Sequence, residues 1–268
     1  MTDELRLILL GLAVAVLGAA LGWLVRSSLW RRGLRRRQSF FGLPPSAECL
    51  LVVDREAGGT EFTVTRHDIF ALLELSPLIK ECGAHAQVHG HDAPLQSLGE
   101  RTEFCVGGPE SSRRMALHLR SLLPGVRVHS DPELGPRHGE FRIGSETYPM
   151  EQGVTEYVLL ARLTAGEGPE ERPAFLFCGQ RAITHQAAAR YLARHHQRLH
   201  RRYGRRPFVL LLKVVNSQAY GPDVVELVAD VTRKARTAPA KSAKDGKDAK
   251  GEKDGKSDKS EKGEKSEA

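Results

Sequence analysis

The stretch Ala174–Val215, AFLFCGQRAITHQAAARYLARHHQRLHRRYGRRPFVLLLKVV, decides the fold class. It opens on an apolar run, Ala174 to Cys178, stopped by Gly179, and closes on Phe208 to Val215, the most strand-like run in the chain. Between them Ala188, Tyr191, Leu192, Leu199 and Tyr203 fall at helical spacing, which predicts a helix from about Ala182 to Tyr203. Strand, glycine turn, long helix and strand in that order are the pattern of an α/β protein.

Working outward, the same alternation covers residues 47–236. Cys49 to Val53 reads as a buried strand, and Thr65 to Asp68 has capping-box form ahead of Ile69, Phe70, Leu72, Leu73 and Leu75. Pro77 is expected to bend or restart that helix, and Gly83 to end it. Ala86 to His89 and Glu103 to Val106 read as strands, and a helix through Met115, Leu119, Leu122 and Leu123 stops at Pro124-Gly125. Val126 to His129 and Tyr157 to Leu163 are further strands, Phe141 to Tyr148 folds back about Gly144-Ser145 as a hairpin, and Gly166 to Pro173 is a polar loop. Val224 to Val231 fits either period, and its β-branched content favours a strand. The expected architecture is a Rossmann-like three-layer sandwich, its mostly parallel sheet covered on both faces, with an antiparallel hairpin at one edge.

Two flanks differ from this body. Leu7 to Val25 is an uncharged apolar run of about the length that crosses a bilayer, behind a stub of residues 1–6. Arg26, Arg31, Arg32, Arg35, Arg36 and Arg37 follow it in the basic segment 26–46, so the positive-inside rule places the body in the cytoplasm and the N-terminus outside the cell membrane. The opening residues are not net positive and the apolar run ends in Trp23 and arginine, which disfavours a cleaved signal peptide. Residues 237–268 are Lys, Asp, Glu, Gly, Ser and Ala-rich without an aromatic, and read as a disordered polyampholyte.

Formal net charge is +7, which invites a nucleic-acid partner, but the charge is local. Residues 1–37 carry seven basic and two acidic side chains, while the tail carries nine and eight. The arginines from Arg190 to Arg206 come without a helix-turn-helix or RNA-binding signature, so a solvated helix face or a lipid contact is favoured over nucleic acid. Four cysteines without a CxxC pair make no disulfide framework.

Only three lysines precede the tail, against 28 arginines. With this arginine-rich body, apolar N-terminal span and charged tail, the chain resembles uncharacterised single-pass membrane proteins of high-GC actinobacteria. The resemblance implies the layout and brings no activity with it.

Chemistry is expected at two turns of like form, Phe104 to Ser112 and Phe175 to Thr184, each running from strand through glycine to a helix N-terminus. Such turns lie outside the carboxyl ends of strands, where backbone N–H groups and the helix dipole meet an anion. Gly107, Gly108, Pro109, Ser111 and Arg113 in the first, with Gly179, Gln180, Arg181 and Thr184 in the second, are the candidate ligand-binding residues. Neither turn is a GxGxxG or Walker loop, and tight strand-to-helix turns use glycine and proline without any ligand. Cys105 and Cys178 end their strands beside these turns, yet only His185 is near Cys178 in sequence, so no catalytic residue is assigned. Cys82, His85, His89, His91 and Asp92 have metal-ligand chemistry at a spacing that matches no zinc rule, and neither metal nor cofactor is assigned. The expected function is a membrane-anchored sensor or accessory module for a small anionic or nucleotide-like ligand or a protein partner. An enzyme using the same turns on a nucleotide-like substrate and a ligand-free scaffold are the alternatives.

Overall fold

The computed structural model of the protein describes residues 2–53, 63–90, 98–129, 139–166, 168 and 171–238. The chain enters through α1 (Thr2–Phe41), then runs β1 (Glu48–Val53), α2 (Arg66–Glu81), β2 (His85–Gly90), β3 (Thr102–Val106) and α3 (Arg113–Leu122). Three short strands follow, β4 (Val126–Val128), β5 (Phe141–Ile143) and β6 (Glu146–Tyr148). The rest is β7 (Thr155–Leu163), β8 (Ala174–Gly179), α4 (Ala182–Tyr203), β9 (Phe208–Val215), α5 (Ser217–Tyr220), β10 (Val225–Asp230) and α6 (Thr232–Arg236).

Seven strands form the central sheet in the order β10-β9-β7-β8-β3-β1-β2. β2, β1, β3 and β8 are mutually parallel neighbours, β9 shares their direction, and β7 and β10 oppose it. The sheet is thus mostly parallel in direction, but its antiparallel strands are not where the hairpin was expected. β5 and β6 join β4 in a separate three-stranded sheet, and the central sheet takes its antiparallel character from β7, which sits between β8 and β9. The crossover helix α4 therefore spans one intervening strand.

Strand periodicity divides the core in two. On one face Cys49, Leu51, Val53, Phe104, Phe175, Phe177, Leu210 and Leu212 pack beneath α2 and α4. On the other, Leu50, Val52, Leu159, Leu176, Val209 and Leu211 meet Met115 and Leu119 of α3, the small sheet and Ala235 of α6. Ala187, Ala188 and Ala189 are fully buried where α4 crosses the sheet. Small side chains there let the helix lie close to the strands.

α2 is capped as expected, with Thr65 accepting from the Asp68 N–H, and Pro77 lies inside one continuous helix rather than restarting it. Pro77 and Leu73, whose carbonyl loses its partner to the proline, are both exposed, so the lost hydrogen bond lies on the solvated side. Segment 26–46, expected as a linker, is helical to Phe41, and Phe40, Phe41 and Leu43 belong to the core of the α2–α4 face. α1 is long and apolar enough to cross a membrane, with a mean hydropathy of 2.5 over its most apolar stretch and nothing burying it there. The tail beyond residue 238, His91, Asp92 and part of the loop Gly166 to Pro173 lie outside the described residues.

Candidate functional site

β3 and β8 are adjacent and parallel, and their carboxyl ends carry the two glycine turns. The Gly107 N–H donates to the Phe177 carbonyl at 3.1 Å, which places the turns side by side. From there the chain diverges, with α3 packing on one face of the sheet and α4 on the other. That divergence is a topological switch point, the place where open α/β sheets leave a crevice.

The candidate residues separate into two kinds. Gly107 needs its lack of a side chain, since its φ of 137° is one that L-residues rarely adopt. A Cβ on Gly108 would meet nothing within 4 Å, so that position faces open space. Ser112 caps α3 by accepting from the Met115 N–H at 3.2 Å, while Pro109 and Ser111 are half-buried and Arg113 is exposed. The β3–α3 turn therefore keeps an accessible surface.

In the β8–α4 turn Gln180 and Arg181 are half-buried like Pro109 and Ser111, but the glycine serves packing. A Cβ on Gly179 would stand 2.0 Å from Thr184 Oγ1 and 2.8 Å from His185 Cδ2, so this glycine serves the close approach of α4 to the sheet. Thr184 donates to the Arg181 carbonyl at 2.7 Å and is fully buried. Gln180 donates to the Tyr148 carbonyl at 3.1 Å and accepts from the Tyr157 N–H at 2.6 Å. Arg181 reaches Glu156 Oε1 at 2.6 Å.

Glu156 is one of several groups that sequence reasoning missed. It is 0% exposed at the start of β7, beside the carboxyl ends of β8 and β9, and also accepts from the Gly153 N–H at 3.0 Å. Its Oε2 has no hydrogen-bond partner among the described residues. Nearby, His185 Nδ1 lies 2.7 Å from Asp68 Oδ1, and Thr65 Oγ1 donates to Asp68 Oδ2 at 2.7 Å. Glu156 and Asp68 thus bring two carboxylates to the first turns of α4 and α2, where the helix dipoles favour negative charge.

A second buried cluster lies on the α3 face. Arg114 donates to both carboxylate oxygens of Glu103, at 2.9 Å through Nε, and His118 Nε2 is 3.0 Å from Oε2. Burial pushes the Glu103 carboxyl up, but hydrogen bonds from His118 and Arg114, with their charge, outweigh it and hold the group below its ordinary range. Cys105 stands beside this cluster, and Glu103, Cys105 and His118 are close enough to share a metal ion. The Arg114 fork already occupies the carboxylate such an ion would use, so the donors fit an internal ion pair better than a metal.

The other expected chemistry is dispersed. Cys178 lies in the core on the α3 face while His185 is on α4, so the sheet separates them. Cys82 is buried in the α2–α4 core, whereas His85 is exposed and His89 half-buried on edge strand β2. Burial raises the thiol pKa of Cys49 to about 12, with the Cys82 sulfur adding to it, and that of Cys82 to about 11. The arginine-rich face of α4 is partly consumed internally: Arg190 pairs with Glu74 and Asp223, and Arg202 lies over the Tyr203 ring.

Arg162, deep in β7 and 1% exposed, went unnoticed in an apolar run. It donates to the Phe40 carbonyl at 2.9 Å and to the Arg205 carbonyl, and among the described residues it has no carboxylate partner. Its charge is met by backbone dipoles at the end of α1 and just past α4, and burial, aided by Arg205, lowers its pKa to about 10. The one charge in the otherwise apolar stretch Val158 to Leu163 was the available signal. No known protein family, curated protein or solved structure matches the chain, so a functional reading rests on the site itself.

Proposed function

We propose that the chain is a membrane-anchored cytoplasmic sensor or accessory module whose Rossmann-like body binds a small anionic or nucleotide-like ligand in the crevice between β3 and β8. One observation carries this reading: two adjacent parallel strands end in glycine turns and send their helices to opposite faces of the sheet. Within the crevice the ligand's anionic group belongs at Gly108, Ser111 and Arg113, where the Gly108 position faces open space and Arg113 is exposed. Gly179, Gln180, Arg181 and Thr184 form the wall that holds α4 in place. Phe41, Gly42 and the starts of β3 and β8 meet through Thr102, which donates to the Phe41 and Gly42 carbonyls, so α1 leaves from the amino edge of the sheet. An anchored body then turns its crevice away from the bilayer, towards soluble ligands.

The test is thermal unfolding of the full chain in detergent against nucleotides and inorganic phosphate. A stabilising ligand whose effect disappears in Gly108→Val and Arg113→Ala supports the reading; stabilisation that survives both changes refutes the placement. A second reading, an enzyme acting on the same ligand class, draws on the Asp68–His185 pair at the same edge of the sheet. It requires turnover that Asp68→Asn abolishes while ligand binding persists.

A further inference from the structure

We propose that the groove between α1, the end of α2 and the last turns of α4 binds the headgroup of an anionic phospholipid. The inference rests on α1 spanning the membrane and is otherwise independent of the crevice. The groove has a volume of about 830 Å³. Arg36 and Arg37 of α1, Lys80 of α2 and Arg201 of α4 bring positive charge to it, and Trp30 and Leu34 give it an apolar wall. Its only carboxylate among the described residues, Glu81, is paired with Arg37. Arg36, Lys80 and Arg201 have no carboxylate partner among the described residues.

Two further observations point to a missing anion. His196 Nε2 and His200 Nδ1 are buried without hydrogen-bond partners among the described residues and both residues line the groove; because His196 Nδ1 donates to the Ala193 carbonyl, it is His200 Nδ1 that can donate to an anion. The His200 imidazole is held below its ordinary value of 6.5, by burial first and then by the positive charges of Arg36, Arg162 and His196.

Position selects a lipid as the source of that anion. The apolar run of α1 ends at Val25, and at a rise of ~1.5 Å per residue Trp30 stands about 8 Å beyond it, in the headgroup layer. Helical side chains lean towards the N-terminus, so Arg36 and Arg37 lean back towards the bilayer. A lipid phosphate at the bilayer surface supplies the anion for the cations that lean back towards it, with Trp30 at the level of the headgroups.

The experiment melts the full chain reconstituted in phosphatidylcholine vesicles and in vesicles that also contain phosphatidylglycerol. The anionic lipid is expected to raise Tm by roughly 2–4 °C. The groove variant Arg36→Gln/Lys80→Gln/Arg201→Gln should lose that rise, while its melting in phosphatidylcholine alone reports that it folds. Arg31→Gln/Arg32→Gln/Arg35→Gln removes equal charge outside the groove and should retain the rise. Equal Tm in the two membranes overturns the proposal, as does equal loss in both variants, which would indicate surface charge alone. Glycerol phosphate added to phosphatidylcholine vesicles should have no effect; an equal rise would overturn the lipid in favour of a free anion. Alkaline extraction of the chain from both vesicles reads the anchor separately, and release from both would refute the span itself.

Discussion

Replacing Gly179 by alanine separates packing from ligand binding at the crevice. The new Cβ stands 2.0 Å from Thr184 Oγ1 and 2.8 Å from His185 Cδ2, and neither atom is free to retreat. Thr184 is held by its hydrogen bond to Arg181, and His185 by Asp68. Overpacking of this kind costs about 1–3 kcal/mol, and contacts this short belong at the upper end. For a domain of this size that is a fall in Tm of roughly 6–12 °C. Gly108→Ala, facing open space in the companion turn, should stay within about 0.5 kcal/mol of wild type. Thermal unfolding of the detergent-solubilised full chain reads both. Thr184→Ala removes the nearest clashing atom, so the double variant Gly179→Ala/Thr184→Ala should lose less than the two single changes together, by about 1–2 kcal/mol. Equal Tm values for the two glycine variants, or strict additivity with Thr184→Ala, would refute the assignment of Gly179 to helix packing.

Glu103→Leu leaves the Arg114 charge buried without its partner and should cost about 3–5 kcal/mol in chemical denaturation, most of it recovered in Glu103→Leu/Arg114→Met. Because the folded Glu103 pKa lies below its ordinary 4.5, its stabilisation is complete above that value and is lost as pH falls through the folded pKa; the double variant should therefore show a shallower acid limb. Arg162→Met deprives the Phe40 and Arg205 carbonyls of a donor, at about 1 kcal/mol each, and amide exchange should quicken at residues 38–43 and 204–208 before anywhere in β3 or β8. All four cysteines are buried and the Cys49 and Cys82 thiols are raised to about 12 and 11, so iodoacetamide at neutral pH should label the protein only on unfolding; rapid native labelling would contradict that burial.

Residues 174–215 fold as their spacing predicts because the information is local: a helix stripe, a glycine after it and two apolar runs fix α4, β8 and β9 almost to the residue. The insertion of β7 between those strands was not legible, since strand order depends on which edges pair across tens of residues. The candidate site divides along the same line. Both turns were visible as glycine between strand and helix, and they do come together. Whether each glycine opens a site or closes a packing contact depends on what stands opposite, and at Gly179 that is Thr184 and His185 of the first turn of α4, folded back over it. Glu103, Glu156 and Arg162 carried a local hint as single charges in or beside buried strands. Their partners lie up to 122 positions away, as Phe40 does from Arg162, and nothing in a strand's own pattern names them.

Strand direction gives the body two chemically different ends. β3 and β8 begin beside Phe41 and Gly42, at the end where the basic groove lies, and finish at the two glycine turns, so groove and turns lie at opposite ends of the strands. Two helices run the whole distance in the same sense. α2 starts at Asp68 beside His185 and finishes at Lys80 and Glu81 in the groove; α4 starts at Arg181 and reaches His196, His200 and Arg201 there. α4 contains neither glycine nor proline, and its three buried alanines hold it flat on the sheet, so it has no interior hinge. A displacement of its first turn would therefore reach its last turn as motion of the whole helix against α1. Arg162 opposes that motion, because one buried guanidinium holds the carbonyl that ends α1 and the carbonyl just past α4. Moving α4 against α1 therefore breaks or repositions those two hydrogen bonds, which makes Arg162 the tie between the two helices.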